Sequence, residues 1–254
     1  MLFEVIRLSD EKELKEAYKL RYKIYCEEWG FEDPAKYPDR QETDEFDKNA
    51  VHFAAIDDTG KAVGAVRLIL FSPDGFPLEK HCEINNDSEG TNRENIAEIS
   101  RLVISRAYRK RTEDKYIYGP DEERRDIDGC DLSFNQSVNN NYRRTDDRYG
   151  YNRPSNGRLR NEIEDEKRNR HELVTSLYKA VYHESKRRNL THWYAVMTKG
   201  LVILLKRYGI RFRAIGDAVD YHGIRTPYLG EIRKIEQEIS DERPELYKEF
   251  TEGL

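Results

Sequence analysis

The stretch Ile96-Ala97-Glu98-Ile99-Ser100-Arg101-Leu102-Val103-Ile104 decides how the chain folds. It is an apolar run of strand length, yet it carries one acid and one arginine. A charge in the middle of a buried strand is costly unless it is paired or faces a cleft. Glu98 is therefore the leading candidate for an acid–base group, acting directly or through a water. Strict alternation puts residues three apart on opposite faces, so Glu98 and Arg101 meet only across a local bulge. A buried ion pair that merely orients the sheet is the competing reading.

Upstream, Asp10 opens a helix whose Leu14, Tyr18, Tyr22, Tyr25 and Trp29 recur at spacings of three and four, ending at Gly30. Val51 to Ile56 and Ala62 to Leu70 read as a hairpin turned by Asp57-Asp58-Thr59-Gly60. Downstream, Leu173, Leu177, Ala180 and Val181 mark a helix to about Asn189. A strand at His192 to Met197 follows, then a helix from Gly200 to Tyr208 closed by Gly209. Strands at Ile210 to Ile215 and Arg225 to Ile232 precede a charged C-terminal helix broken around Pro244. Strands early and β–α units late define an α+β class, an α/β/α sandwich around a mixed, mostly antiparallel sheet.

The chain has 254 residues, of which 37% are charged, against about 25% in ordinary globular domains. The excess collects in 120–170, where isolated apolar residues follow no period and cannot offset the entropy of ordering. We read residues 1–254 as a single domain carrying a polar, mobile insertion at 112–170. With 44 Lys+Arg against 49 Asp+Glu, the net charge of -5 disfavours nucleic acid as a partner. No apolar run is long enough to span a bilayer, and Met1-Leu2-Phe3-Glu4 lacks the form of a secretory signal, so a cytoplasmic location is expected. Cys26, Cys82 and Cys130 are too few and too scattered for a disulfide framework or zinc knuckle, and no metal site is read. His52, His183 and His222 lack triad spacing, which argues against a Ser or Cys hydrolase.

Other charges ask for partners. Arg67 interrupts the strand Val66-Arg67-Leu68-Ile69-Leu70 and needs an anion, for which Asp44 or Asp47 of the loop Glu42-Thr43-Asp44-Glu45-Phe46-Asp47 are the choices. These carboxylates could also hold a substrate ammonium while Arg67 and Arg21 fork onto a substrate carboxylate. A purely structural salt bridge fits equally. Tyr25 and Trp29 serve as walls of a pocket or as core aromatics.

Taken together, Leu20-Arg21-Tyr22-Lys23-Ile24-Tyr25-Cys26-Glu27-Glu28-Trp29, the acidic loop, Arg67-Leu68 and Glu98-Ile99-Ser100-Arg101 form an ordered set. The set resembles the acyl-homoserine-lactone (autoinducer) synthases and their N-acyl amino acid synthase relatives. Cys26-Glu27 and His222-Gly223-Ile224-Arg225-Thr226-Pro227-Tyr228 look like the branch associated with exosortase (PEP-CTERM) systems. The resemblance covers Leu14 to about Arg106 and returns at Tyr178 to Tyr228. It implies a GNAT-like N-acyltransferase fold, a splayed strand at a thioester site, and an acceptor pocket near Tyr25 and Trp29.

On this reading Glu98, Arg101, Arg67, Asp44 and Asp47 form the catalytic group. Arg21, Tyr25, Trp29, Ser100 and Val103 bind substrate, and Val103, Leu177 and Val196 line the acyl tail. No cofactor is bound permanently. The place where a GNAT enzyme carries glycines for CoA pyrophosphate reads Ile104-Ser105-Arg106-Ala107-Tyr108-Arg109-Lys110-Arg111, without a glycine. Its basic character suits acyl carrier protein as the donor, with CoA disfavoured. Arg106, Arg109, Lys110 and Arg111 are the candidate docking residues, with Lys186, Arg187 and Arg188 as secondary ones; simple solubility charges are the bland alternative. The expected activity is transfer of a fatty acyl group to the amine of an amino acid or related acceptor. The alternatives are a homoserine-lactone synthase using S-adenosylmethionine and a catalytically silent binding module.

Overall fold

The computed structural model describes residues 3–85, 91–108 and 157–254, with side chains from Glu172 onward in the last stretch. Strand β1 (Phe3–Leu8) leads into helix α1 (Glu11–Tyr22). The Asp10 carboxylate accepts the Glu13 N–H at 2.8 Å while Glu13 accepts the Ser9 N–H at 2.8 Å, which closes the helix start. The helix then widens into a π-helix over Lys23–Glu28 and stops at Gly30, whose φ of +65° suits a residue without Cβ.

Strands β2 (Ala50–Asp57) and β3 (Ala62–Leu70) form the expected hairpin, with Gly60 at φ +79° and the Asp57 carboxylate accepting the Thr59 and Lys61 N–H groups, each at 3.0 Å. A short helix α2 (Pro77–His81), strand β4 (Ile96–Ile104) and the long helix α3 (Gly157–Arg187) follow. Strand β5 (His192–Met197) leads to α4 (Lys199–Arg207), capped by Thr198. The chain ends with β6 (Arg213–Ala214), β7 (Val219–Asp220), β8 (Ile224–Glu231), α5 (Ile232–Glu242) and α6 (Pro244–Thr251).

The strands lie in the order β1-β2-β3-β4-β5-β8-β6, with β7 on β8. β4–β5 is the parallel pair, and the other pairs are antiparallel. On one face, Val66, Leu68, Ala97 and Ile99 pack against Leu173, Leu177 and Val181 of α3 and against α4 and α5. On the other, Ala54, Ala65 and Val103 meet Leu20 and Ile24 of the first helix, while Ile69, Ile96 and Tyr194 meet Phe46, Phe76 and Leu78. The result is the mixed, mostly antiparallel sheet between helical layers that the sequence indicated.

Three elements depart from that reading. β1 is an extra edge strand; it is only half-buried, so its alternation is weak. The expected strand at Ile210 to Ile215 shrinks to two residues, because Ile210 and Ile215 are separate buried anchors and not one alternating face. Helix α3 starts at Gly157, well before Leu173; helix formers such as Leu, Arg, Glu and Lys fill its first turns. Of the expected insertion at 112–170, positions 112–156 lie outside the described residues.

Candidate active site

Strand β4 is built around a bulge. Arg67 pairs with Ser100 and Ala65 with Val103, so three steps on β4 oppose two on β3. Arg101 supplies the extra residue at φ +51°, a conformation that costs a non-glycine residue about 1–3 kcal/mol and persists only when its surroundings hold it. The bulge turns the Arg101 side chain to the face that carries Arg67, and the sequence reading had made any meeting with Glu98 conditional on this feature.

What holds Arg101 is a closed ring of six charges. Arg21 bonds Glu42 through Nε and forks onto Asp47 at 2.8 and 3.2 Å. Asp47 accepts from Arg67 at 2.7 Å, and Arg67 forks onto Asp44, with its second contact at 3.0 Å. Arg101 reaches Asp44 at 3.1 Å and closes the ring on Glu42 at 3.1 Å. Three guanidinium cations alternate with three carboxylates, and Arg21, Arg67 and Glu42 are almost wholly buried. Ser100 Oγ takes the remaining Arg67 Nε–H at 3.0 Å, while the Asp44 and Phe46 N–H groups donate to Asp47 and Asp44. Burial pushes these carboxyls upward, but the arginines overrule it and hold Glu42, Asp44 and Asp47 below the usual carboxylate range.

This ring corrects one expectation. Asp44 and Asp47 do not stand open for a substrate ammonium, nor do Arg21 and Arg67 for a substrate carboxylate, because each already holds the other. The competing reading for Glu98, a buried ion pair with Arg101, does not hold: Arg101 is committed to the ring, and Glu98 accepts the Leu78 N–H at 2.9 Å. Burial pushes the Glu98 carboxyl up to about 7, against the opposing influence of that hydrogen bond and the charges of Arg67 and Arg101. A group titrating there can take and release protons near neutral pH.

Beside the bulge the sheet opens. β4 and β5 pair in parallel from Ile96/His192 to Ile99/Ala195 and then part, although both strands continue. A narrow cleft of about 50 Å³ occupies the fork, lined by Ser100, Arg101 and Leu102 on one strand and Val196 and Met197 on the other. Tyr25 and Trp29 wall one side, as expected, and Tyr178 and Arg225 also border it. The π-helix brings both aromatics to this wall, their ring centroids 5.8 Å apart, with the Arg101 guanidinium 5.5 Å from the Tyr25 centroid. The β4–β5 register ends at Ile99, and beyond it Ser100, Arg101 and Leu102 border the cleft.

Val103 and Leu177 were expected in this cleft but belong to the core. The bulge shifts the register so that Val103 packs toward Leu20 and Ile24, and Leu177 packs beneath the sheet. Arg106 is exposed; Arg109, Lys110 and Arg111 lie outside the described residues. Lys186 pairs with Glu236 at 2.8 Å, while Arg187 and Arg188 pair with Glu184 at 3.1 and 2.7 Å. Cys26 is buried, which pushes its thiol up to about 11 and leaves it inert at neutral pH.

Sequence reasoning passed over Glu42, the acid that joins Arg21 to Arg101. It stood in the acidic loop, but nothing in its spacing separated it from the other acids of that loop. It also passed over Phe31, which sits 5.1 Å from His222 beside Tyr25. Burial and the nearby Arg101 and Arg225 push His222 down to about 4, so the ring is neutral at physiological pH.

A mixed, mostly antiparallel central sheet that forks between two parallel strands is the arrangement of the GNAT fold. A family model described as acetyltransferase (GNAT) domain matches residues 20–119. Among solved structures, TofI in a ternary complex with an inhibitor and MTA aligns with a TM-score of 0.54 at 14% identity, covering 97% of this chain and 100% of that one. BjaI, a CoA-dependent acyl-homoserine lactone synthase with MTA, aligns at 0.54 and 15% identity over 98% of this chain and 90% of its own. FeeM, an N-acyl amino acid synthase from uncultured soil microbes, aligns at 0.53 and 10% identity over 93% and 94%. At these identities the likeness is one of fold. No curated protein matches the chain by sequence. Among the described residues, no helix is long and apolar enough to cross a membrane.

Proposed function

We propose that the protein is an N-acyltransferase that moves a fatty acyl group from a thioester to the amino group of an amino acid or related amine. The observation that carries this reading is the fork between β4 and β5, where the two strands part beside a cleft walled by Tyr25 and Trp29. A thioester carbonyl placed in the fork would meet N–H donors of β4 as its oxygen gains charge. The acceptor ammonium gives up a proton, through a water, to the Glu98 carboxylate. The freed amine attacks the carbonyl carbon, the C–S bond breaks, and the departing thiolate takes the second proton from the attacking nitrogen, leaving the amide and a free thiol. The six-charge ring holds the Arg101 bulge and hence the shape of the fork, so Arg67, Asp44, Asp47, Arg21 and Glu42 act by positioning. Ser100 and Arg101 reach the cleft itself.

We take acyl carrier protein as the donor, because the glycine-free, basic run from Arg106 to Arg111 suits an acidic carrier better than a nucleotide pyrophosphate. BjaI is described as CoA-dependent, so both donors belong in the assay. The exosortase-associated branch rests on the likeness of His222 to Tyr228 and of Cys26-Glu27. The deciding experiment is mass spectrometry of products from mixed acyl carrier protein and acyl-CoA thioesters, the twenty amino acids and S-adenosylmethionine, with Glu98→Gln in parallel. An N-acyl amino acid formed only by the unmutated protein supports the proposal. An acyl lactone supports a homoserine-lactone synthase, and no new amide with any donor overturns enzymatic acyl transfer.

A further inference from the structure

A second cavity lies on the far side of α3, against the β1 edge of the sheet. It is a groove of about 310 Å³ whose apolar lining comes from Phe3, Val5, Phe53 and Ala180. Its space has a local cause. Ser176 and Ala180, one turn apart on α3, present small side chains opposite the large residues of β1 and β2, so the helix and sheet do not close on each other there. That volume lies at the lower end of the range of about 300–1,000 Å³ usual for small-molecule pockets, enough for one extended chain.

The polar lining is of one sign. Arg7, Lys179 and Arg187 border the groove, and Glu184, the acid that pairs with two of them, is buried, 3.6 Å from Arg7 and 3.1 Å from Arg187. Glu184 also holds Arg188 at 2.7 Å, so this one carboxylate serves three arginines and the border stays positive, while Lys179 has no ion pair among the described residues. His183 adds no negative charge; it donates its Nε2–H to the Phe250 carbonyl at 2.7 Å. An apolar trough with a cationic border matches one ligand chemistry: an alkyl chain that ends in an anion.

We propose that this groove binds a single-chain amphiphile with an anionic headgroup, its chain against Phe3, Val5, Phe53 and Ala180 and its headgroup between Lys179, Arg7 and Arg187. The site is separate from the β4/β5 cleft, because the two cavities share no lining residue.

The test is calorimetric titration of the full chain with dodecanoate, N-dodecanoylglycine, dodecyl phosphate and dodecyltrimethylammonium, each below its micelle concentration. The anionic chains should bind and the cationic one should not; their ranking tells a fatty acid from an N-acyl amino acid or a phosphate headgroup. Lys179→Glu/Arg187→Glu and Ala180→Trp should each weaken anion binding at least tenfold, whereas Val196→Trp, which crowds the cleft, should leave it within about twofold. If Ala180→Trp does not fold, Lys179→Gln/Arg187→Gln carries the test at the surface. Binding unchanged in the groove variants, binding lost in Val196→Trp, or equal binding of the cationic chain each overturns the proposal. Acyl transfer is read in a separate assay, so failure there leaves this titration interpretable.

Discussion

Arg101 sits at φ +51° with its guanidinium on Glu42, 59 residues earlier in the chain, so a left-handed bulge in the central strand and a buried carboxylate hold each other in place. Through Glu42 the bulge is tied to Arg21 of the first helix, and through Asp44 to Arg67 of the neighbouring strand. The shape of the fork thus depends on residues from four separate segments.

Glu42→Gln should therefore behave as the removal of one partner from a buried ion network. It leaves Arg21 and Arg101 short of an anion, at a cost of about 3–5 kcal/mol. For a chain of this size, that is a fall in Tm of roughly 10 °C. Thermal unfolding at pH 7 checks it. A change within 2 °C would mean that the ring does not act as a unit.

The ring also sets the behaviour in acid. Glu42, Asp44 and Asp47 are held below their ordinary range, so their contribution is complete above the unfolded carboxyl values near 4 and is lost as pH falls through the folded ones. Tm measured from pH 6 to pH 2 should drop most steeply below about 4. Asp47→Asn, less stable at pH 6, should show a shallower acid limb.

Glu98 has the opposite sign. Its folded value of about 7 lies above the ordinary carboxyl value, so it has no effect on stability at low pH, destabilises progressively as pH rises through that window, and then levels off. The full penalty is about 3 kcal/mol. Glu98→Gln should therefore gain stability relative to the unmutated chain between pH 5 and pH 8, as followed by urea midpoints.

Turnover should follow the same group. If Glu98 is the base, kcat/KM rises with pH through about 7. In Glu98→Gln the rate should fall about 10²–10⁴-fold and lose that limb. A Gln variant with unchanged rate and pH profile would remove Glu98 from the reaction.

Gly216→Ala tests the backbone beside the site. A Cβ at this position would lie 2.2 Å from the Glu83 carbonyl oxygen and 2.9 Å from Pro227, and a backbone carbonyl cannot turn aside as a side chain can. The expected loss is about 1–3 kcal/mol, measured by denaturant unfolding.

The sequence by itself determined most of the elements and the candidate carboxyl. The hairpin, the β4 and β5 strands and the Asp10 cap follow from apolar periodicity and turn chemistry, which act over a few residues. Glu98 stood out because an acid within an apolar strand has few inexpensive explanations. Tyr25 and Trp29 were placed together by helical spacing, although the π-helix that aims them was not visible. The tertiary structure alone decided who partners whom. Glu42 looked like any other acid of a charged loop until the fold brought it between Arg21 and Arg101. Val103 looked like a cleft residue until the bulge shifted its register into the core. Periodicity is local, whereas the pairing of buried charges is settled by the dielectric and geometry of a core assembled from distant segments, where each ion must find its counter-ion or not be buried at all.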